Sequence, residues 1–134
     1  MAAEPSPVYV IDDDQGMLDS MHFLLDACGV PSRQFSDPYA FLHALGSLPP
    51  GCVLTDLRMP TMSGIELNQK LDALQLGWPV ILMSAHLDSE ASDDALSRGF
   101  FEVIEKPFTA STLSAVLDRA FLRLDQAGPA RLPN

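Results

Sequence analysis

The chain has 134 residues, 47% of them hydrophobic, enough to fill one core at the size of a single compact domain. Eighteen acidic residues against eight basic ones give a formal charge of -10, so the surface repels a phosphate backbone and direct nucleic-acid binding is not expected. No 18 apolar residues run together and MAAEPSPVYV lacks a basic n-region, so neither a membrane span nor an export signal is read and a cytoplasmic setting is expected.

The run PVYVID, Pro7 to Asp12, is short, apolar and β-branched, and predicts a first strand. Behind it Met17, Met21, Leu24, Leu25 and Cys28 recur at helical spacing until Gly29 closes the pattern. Arg33 to Ser36 gives a weaker second strand, and Asp37-Pro38 supplies an N-cap and a first-turn proline for a helix over Tyr39 to Leu45. After Pro49-Pro50-Gly51, Cys52 to Asp56 is the third strand, and Ser63-Gly64-Ile65-Glu66 has capping-box spacing for a helix to about Leu74. Pro79 to Met83 follows as a fourth strand, then a helix from about Asp88 to Arg98 that Gly99 stops. Phe101 to Ile104 is the fifth strand. Thr109 caps a last helix whose Leu113, Val116, Leu117, Ala120, Phe121 and Leu124 share one face. From Asp125 onward DQAGPARLPN holds a glycine and two prolines without periodicity, so the folded unit is placed at 6–124 and a linker-like tail at 125–134.

Strands alternate with helices, and the strands read as continuous apolar runs, which predicts an α/β fold with a parallel sheet covered on both faces. Cys28 and Cys52 lie in apolar patterns without a CxxC spacing, and read as reduced, free thiols rather than a redox pair or zinc ligands. His22, His43 and His86 show no metal spacing, and Met17 and Met21 read as core.

In such sheets ligands bind beyond the carboxyl ends of the strands. There the chain carries Asp12, Asp13 and Asp14 after strand one, Asp56 after strand three, Ser84 after strand four and Lys106 after strand five. Right-handed crossovers make strands one and three neighbours, which would bring Asp12, Asp13 and Asp56 together. Two carboxylates about 4 Å apart repel by roughly 4 kcal/mol at an effective dielectric of 20, so a positive partner is required. Magnesium suits carboxylate and carbonyl oxygens and leaves room for a phosphate, while Lys106 adds a fixed cation and the Ser84 hydroxyl a donor.

The ordered set VYVIDDDQ, VLTDLRMPTMSGIEL, VILMSAH and VIEKPF resembles the receiver domain of bacterial two-component response regulators, over about residues 6 to 124. TDLRMPTMSGIEL looks most like receivers that control helix-turn-helix output domains. The resemblance implies a flavodoxin-like sheet of five parallel strands in the order 2-1-3-4-5 with five helices on both faces. It implies that Asp56 accepts a phosphoryl group from a histidine kinase, and that Asp13, Asp56 and the backbone carbonyl of Arg58 bind Mg2+, with Asp12 acting through water. Ser84 and Lys106 would contact phosphoryl oxygens, and the Lys106-Pro107 peptide would be cis. A DNA-binding output domain outside this chain and a phosphorylation-dependent homodimer are the further partners it allows.

One departure bears on the output. Receivers usually carry Tyr or Phe three residues before the active-site lysine, where this chain has Val103. Phe101 shares strand parity with Val103 and is expected to cover part of the same surface, making Ser84, Phe101 and Val103 the switch candidates; Phe100 replaces a residue that is usually small. His86 and the Arg58 side chain lie where family members tune phosphoryl lifetime.

Each residue has a plainer role when taken singly. Asp13 or Asp14 would simply cap the first helix, Asp56 would open a turn before Pro60, and Lys106 would be a surface lysine. A receiver-like binding module that is not phosphorylated is the first competing function. A haloacid-dehalogenase-type Mg2+-dependent phosphatase is another, since Asp12-Asp13-Asp14 contains a DxD, but Gln15-Gly16 stands where such enzymes want Thr or Ser. A flavin site would need a hydroxyl- and glycine-rich loop after strand one, which is missing.

Overall fold

A computed structural model of the chain describes residues 6–85 and 89–131. Its inner strand β1 (Val8–Ile11) is fully buried at all four positions, as a strand covered on both faces must be. Val8 and Val10 enter one core layer, Tyr9 and Ile11 the other. The same alternation sorts β3 (Cys52–Asp56) and β4 (Val80–Ser84): Leu54, Ile81 and Met83 join the first layer, Val53, Val80 and Leu82 the second.

With β2 (Ser32–Phe35) and β5 (Glu102–Glu105) the sheet is parallel throughout, in the order β2-β1-β3-β4-β5. Helices α1 (Gln15–Ala27) and α5 (Ala110–Arg131) cover the first layer through Leu18, Met21, Leu25, Leu113 and Leu117. Helices α2 (Pro38–Ala44), α3 (Gly64–Ala73) and α4 (Ser89–Ser97) cover the second through Phe41, Leu67, Leu71 and Ala95. This is the doubly wound, flavodoxin-like arrangement expected.

The helix starts follow local chemistry. Asp14 Oδ1 accepts from the Gly16 amide at 2.9 Å, Asp37 caps α2 through Tyr39 with Pro38 in its first turn, and the Ser63–Glu66 capping box of α3 closes in both directions. Thr109 Oγ1 accepts from the Thr112 amide at the head of α5. Cys28 and Cys52 are free thiols, and His22 and His43 are exposed on α1 and α2. His86 and the Asp88 start expected for α4 lie outside the described residues.

Two expectations are corrected. Phe101 does not share a surface with Val103: it joins the α1/α5 layer beneath the Arg123 guanidinium, 5.8 Å from its ring centre, whereas Val103 lies in the opposite layer with Phe100. The chain bends at Phe101 and β5 begins only at Glu102, so strand parity does not extend back to it. Nor does the last helix stop where apolar periodicity ends at Leu124: α5 continues through Arg131. Once a helix exists, each added residue can extend it, and α5 runs on past its apolar stripe even though Gly128 and Pro129 lie in its last turn.

Candidate functional site

The parallel register pairs Ile11 with Thr55, so the residues that follow, Asp12 and Asp56, emerge side by side at the carboxyl edge of the sheet. Asp12 is 1% exposed, Asp13 exposed and Asp56 intermediate, and one carboxylate oxygen from each lies within 4.8 Å of the others. Asp14 takes the cap of α1, which leaves Asp12 and Asp13 free for the cluster.

Lys106 approaches from β5. Its amide donates to the Ser84 carbonyl at 2.7 Å, which joins the ends of β4 and β5, and the Lys106-Pro107 peptide is cis. The ammonium Nζ stands 3.0 Å from Asp56 Oδ1 and 3.6 Å from Asp12 Oδ2. Asp56, Leu57, Arg58, Ser84, Ala85 and Lys106 line a cavity of about 340 Å³. Ser84 is 7% exposed and Arg58 exposed at its rim.

Burial pushes the Asp12 carboxyl above its ordinary range; the Asp14 amide bound to its Oδ1 at 3.0 Å and the Lys106 ammonium oppose this, and the charges on Asp56 and Asp13 add to it. Among the described residues, Asp12 Oδ2 is the one buried side-chain N or O atom without a hydrogen-bond partner. Three carboxylates thus gather where one ammonium group pairs with two of them. Such a set suits a hard divalent cation: oxygen donors only, convergent, with one buried oxygen unsatisfied.

Sequence reasoning named Asp12, Asp13, Asp56, Ser84, Arg58 and Lys106, and the structure brings all six to this edge. Neither Phe101 nor Val103 is among the residues lining the cavity. The sequence reading missed Thr55, whose Oγ1 donates to the Asp56 carbonyl at 2.9 Å, and Gly64, whose amide donates to the Leu57 carbonyl at 2.8 Å. Gly64 stands inside the capping-box tetrapeptide, but nothing in that pattern signals contact with Asp56.

Over residues 8–118 the chain matches the response regulator receiver domain. It is 42% identical over 123 residues to the transcriptional regulatory protein FixJ of Bradyrhizobium diazoefficiens, covering 92% of this chain and 58% of that protein. It is 33% identical over 120 residues to the response regulator protein TmoT of Ectopseudomonas mendocina, covering 90% and 54%. The chain therefore spans little more than half the length of these relatives. Full-length FixJ from B. japonicum superposes with a TM-score of 0.83 at 41% identity, over 96% of this chain and 62% of that one. A response regulator receiver domain protein from Clostridium thermocellum gives 0.79 at 28% identity, over 91% and 98%. Among the described residues no helix is long and apolar enough to cross a membrane. The chain belongs to the response regulator receiver domain family.

Proposed function

We propose that this chain works in the cytoplasm, accepts a phosphoryl group on Asp56 from a sensor histidine kinase and passes the signal on by changing its own surface. The observation that carries this is the ammonium of Lys106 held 3.0 Å from Asp56 Oδ1, beside two further carboxylates and an unsatisfied Asp12 oxygen. Asp12, Asp13, Asp56 and the Arg58 carbonyl would hold Mg2+, which when bound offsets the carboxylate charge and polarises the incoming phosphoryl group.

The chain's own part is positioning and charge neutralisation. An Asp56 carboxylate oxygen attacks phosphorus in line, the P–N bond to the kinase histidine breaks, and the imidazole leaves with the bonding pair. The product is an acyl phosphate, which water later cleaves at phosphorus to restore the carboxylate. Lys106, released from its ion pair, meets a phosphoryl oxygen, and the Ser84 hydroxyl donates to another. The chain turns over no substrate of its own.

Phosphorylation adds about -1.5 to -2 charges at one point. Moving a two-state surface from 1:99 to 99:1 requires about 5.5 kcal/mol of differential stabilisation. Capture of Lys106 and Ser84 would displace the ends of β5 and β4, and with them the face formed by α4, β5 and α5. Val103 leaves this face without the usual aromatic ring, so the layer holding Phe100 and Val103 carries the change instead. The relatives are named transcriptional regulatory proteins, and the function we infer for this chain is transcriptional control exerted through a DNA-binding output domain outside it.

Incubation with acetyl phosphate and Mg2+, read by intact mass, is the test. One hydroxylamine-labile phosphoryl adduct is expected, absent in Asp56→Asn. No adduct with several small donors would leave the unphosphorylated binding module, and steady turnover of a phosphate ester would favour the phosphatase.

A further inference from the structure

Helix α3 begins closer to the phosphoacceptor backbone than a side chain permits. A Cβ on Gly64 would stand 2.5 Å from the Asp56 carbonyl oxygen and 3.3 Å from Leu57 Cα, where real Cβ contacts stay beyond 3.0 Å. Both neighbours are backbone and cannot swing aside. Several contacts lock the approach. The Gly64 amide donates to the Leu57 carbonyl at 2.8 Å, and Thr55 Oγ1 donates to the Asp56 carbonyl at 2.9 Å. The Ser63–Glu66 capping box fixes the first turn of α3, while Leu67 and Leu71 bury its inner face. Asn68 Nδ2 donates to the Arg98 carbonyl and prevents the helix from sliding outward.

We propose that Gly64 is a positioning residue for the phosphorylation site: the bare first turn of α3 presses on the Asp56–Leu57 peptide and sets where the Asp56 carboxylate and the Arg58 carbonyl point. This rests on the acceptor role of Asp56 and adds a device that acts on it. An added methyl group must move one of two backbones by at least ~0.5 Å. Mg2+ holds its oxygens at about 2.0–2.1 Å in near-ideal octahedral geometry, so a shift of that size at a ligand-bearing peptide is a quarter of a bond length. Displacements near 1 Å can cost on the order of 100-fold in rate. The sequence pattern gives Gly64 only a helix-capping role, for which alanine at the first helical position would serve.

The experiment compares wild type with Gly64→Ala, Thr55→Val and the control Gly46→Ala, whose added Cβ meets nothing within 4 Å. Three readouts are taken: metal-free amide shifts of Asp56 and Leu57, Mg2+ affinity by calorimetry, and phosphorylation rate by acetyl phosphate. In Gly64→Ala we expect shifted Asp56 and Leu57 amides without metal, Mg2+ affinity weakened about tenfold, and a phosphorylation rate at saturating Mg2+ also reduced about tenfold or more. Thr55→Val, which frees the Asp56 carbonyl without adding bulk, should weaken Mg2+ about threefold. Gly46→Ala should match wild type in all three. Folded Gly64→Ala with wild-type shifts and affinity overturns the proposal. If Gly64→Ala does not fold, wild-type behaviour of Thr55→Val overturns it. Failure of wild type itself to bind Mg2+ or take a phosphoryl group would instead refute the acceptor role, leaving the metal-free shifts to report on positioning alone.

Discussion

Lys106 Nζ lies 3.0 Å from Asp56 Oδ1 while remaining 3.6 Å from Asp12 Oδ2, so one ammonium group is shared between the carboxylate that would react and one that would not. The lysine side chain is 23% exposed and Asp12 only 1%. The shared ion pair therefore sits at a partly solvated rim over a desolvated floor, and its two partners respond differently when it is removed.

Lys106→Met should separate metal binding from phosphoryl transfer. Without the ammonium, Mg2+ no longer competes for Asp56 Oδ1, and its affinity should rise about threefold. The phosphorylation rate should fall by about 100-fold, as expected when a fixed charge-stabilising donor is lost from a reaction centre. Calorimetry and intact-mass kinetics on the same preparation check both. A parallel fall in both quantities would show that Lys106 acts by holding the site together rather than on the phosphoryl group.

Asp12→Asn should make the metal-free protein more stable. The wild-type Asp12 Oδ2 is buried without a hydrogen-bond partner and faces the charges of Asp13 and Asp56. Removing one of three clustered charges relieves that repulsion, while the amide oxygen still accepts from Asp14 N–H. A gain of about 1–2 kcal/mol in EDTA is expected by denaturant titration. Added Mg2+ should stabilise the variant less than it stabilises wild type.

The acidic edge was legible because its parts are strand ends. Asp12, Asp56, Ser84 and Lys106 each follow an apolar run, and parallel strands deliver their carboxyl ends to one edge whatever the details between. What could not be read depends on geometry that residue type does not encode. A single bend at Phe101 turns its ring into the layer opposite Val103, against the parity of the strand that follows. The press of Gly64 on Asp56 joins residues eight apart through two backbones, without a side chain to advertise it. The extension of α5 past Leu124 shows that helix can outlast the periodicity that reveals it.

The two thiols should be distinguishable by alkylation. Cys52 is 0% exposed in β3, and burial, with the negative charge of Asp125 adding, pushes its thiol up to about 12. At pH 8 its thiolate fraction is about one in ten thousand, and the thiolate is the nucleophile. Cys28, half-buried at the end of α1, is reachable. Iodoacetamide should add one group to the native protein and a second only in denaturant, with peptide mapping placing the first on Cys28. Rapid double labelling of the native protein would contradict the burial of β3.

Tyr9 should make folding sensitive to strongly alkaline pH. Its ring is fully buried against Phe35, Phe41 and Trp78, and its hydroxyl donates to the Pro49 carbonyl, a bond the phenolate cannot make. Burial pushes the phenol up to about 12, with the nearby Arg33 charge opposing, against an ordinary value near 10. Between those values the unfolded chain has lost the phenolic proton and the folded chain retains it. The unfolded state then binds fewer protons, so stability falls as pH rises. The contribution is complete below pH about 10 and is lost as pH climbs through about 12. Tyr9→Phe keeps the ring, loses about 1 kcal/mol with the hydroxyl at neutral pH, and should show a shallower decline above pH 10. The difference between the two denaturation series, wild type minus Tyr9→Phe, isolates this group. A constant difference from pH 9 to 12 would mean that the hydroxyl reaches water and that the aromatic floor beneath β1 is open.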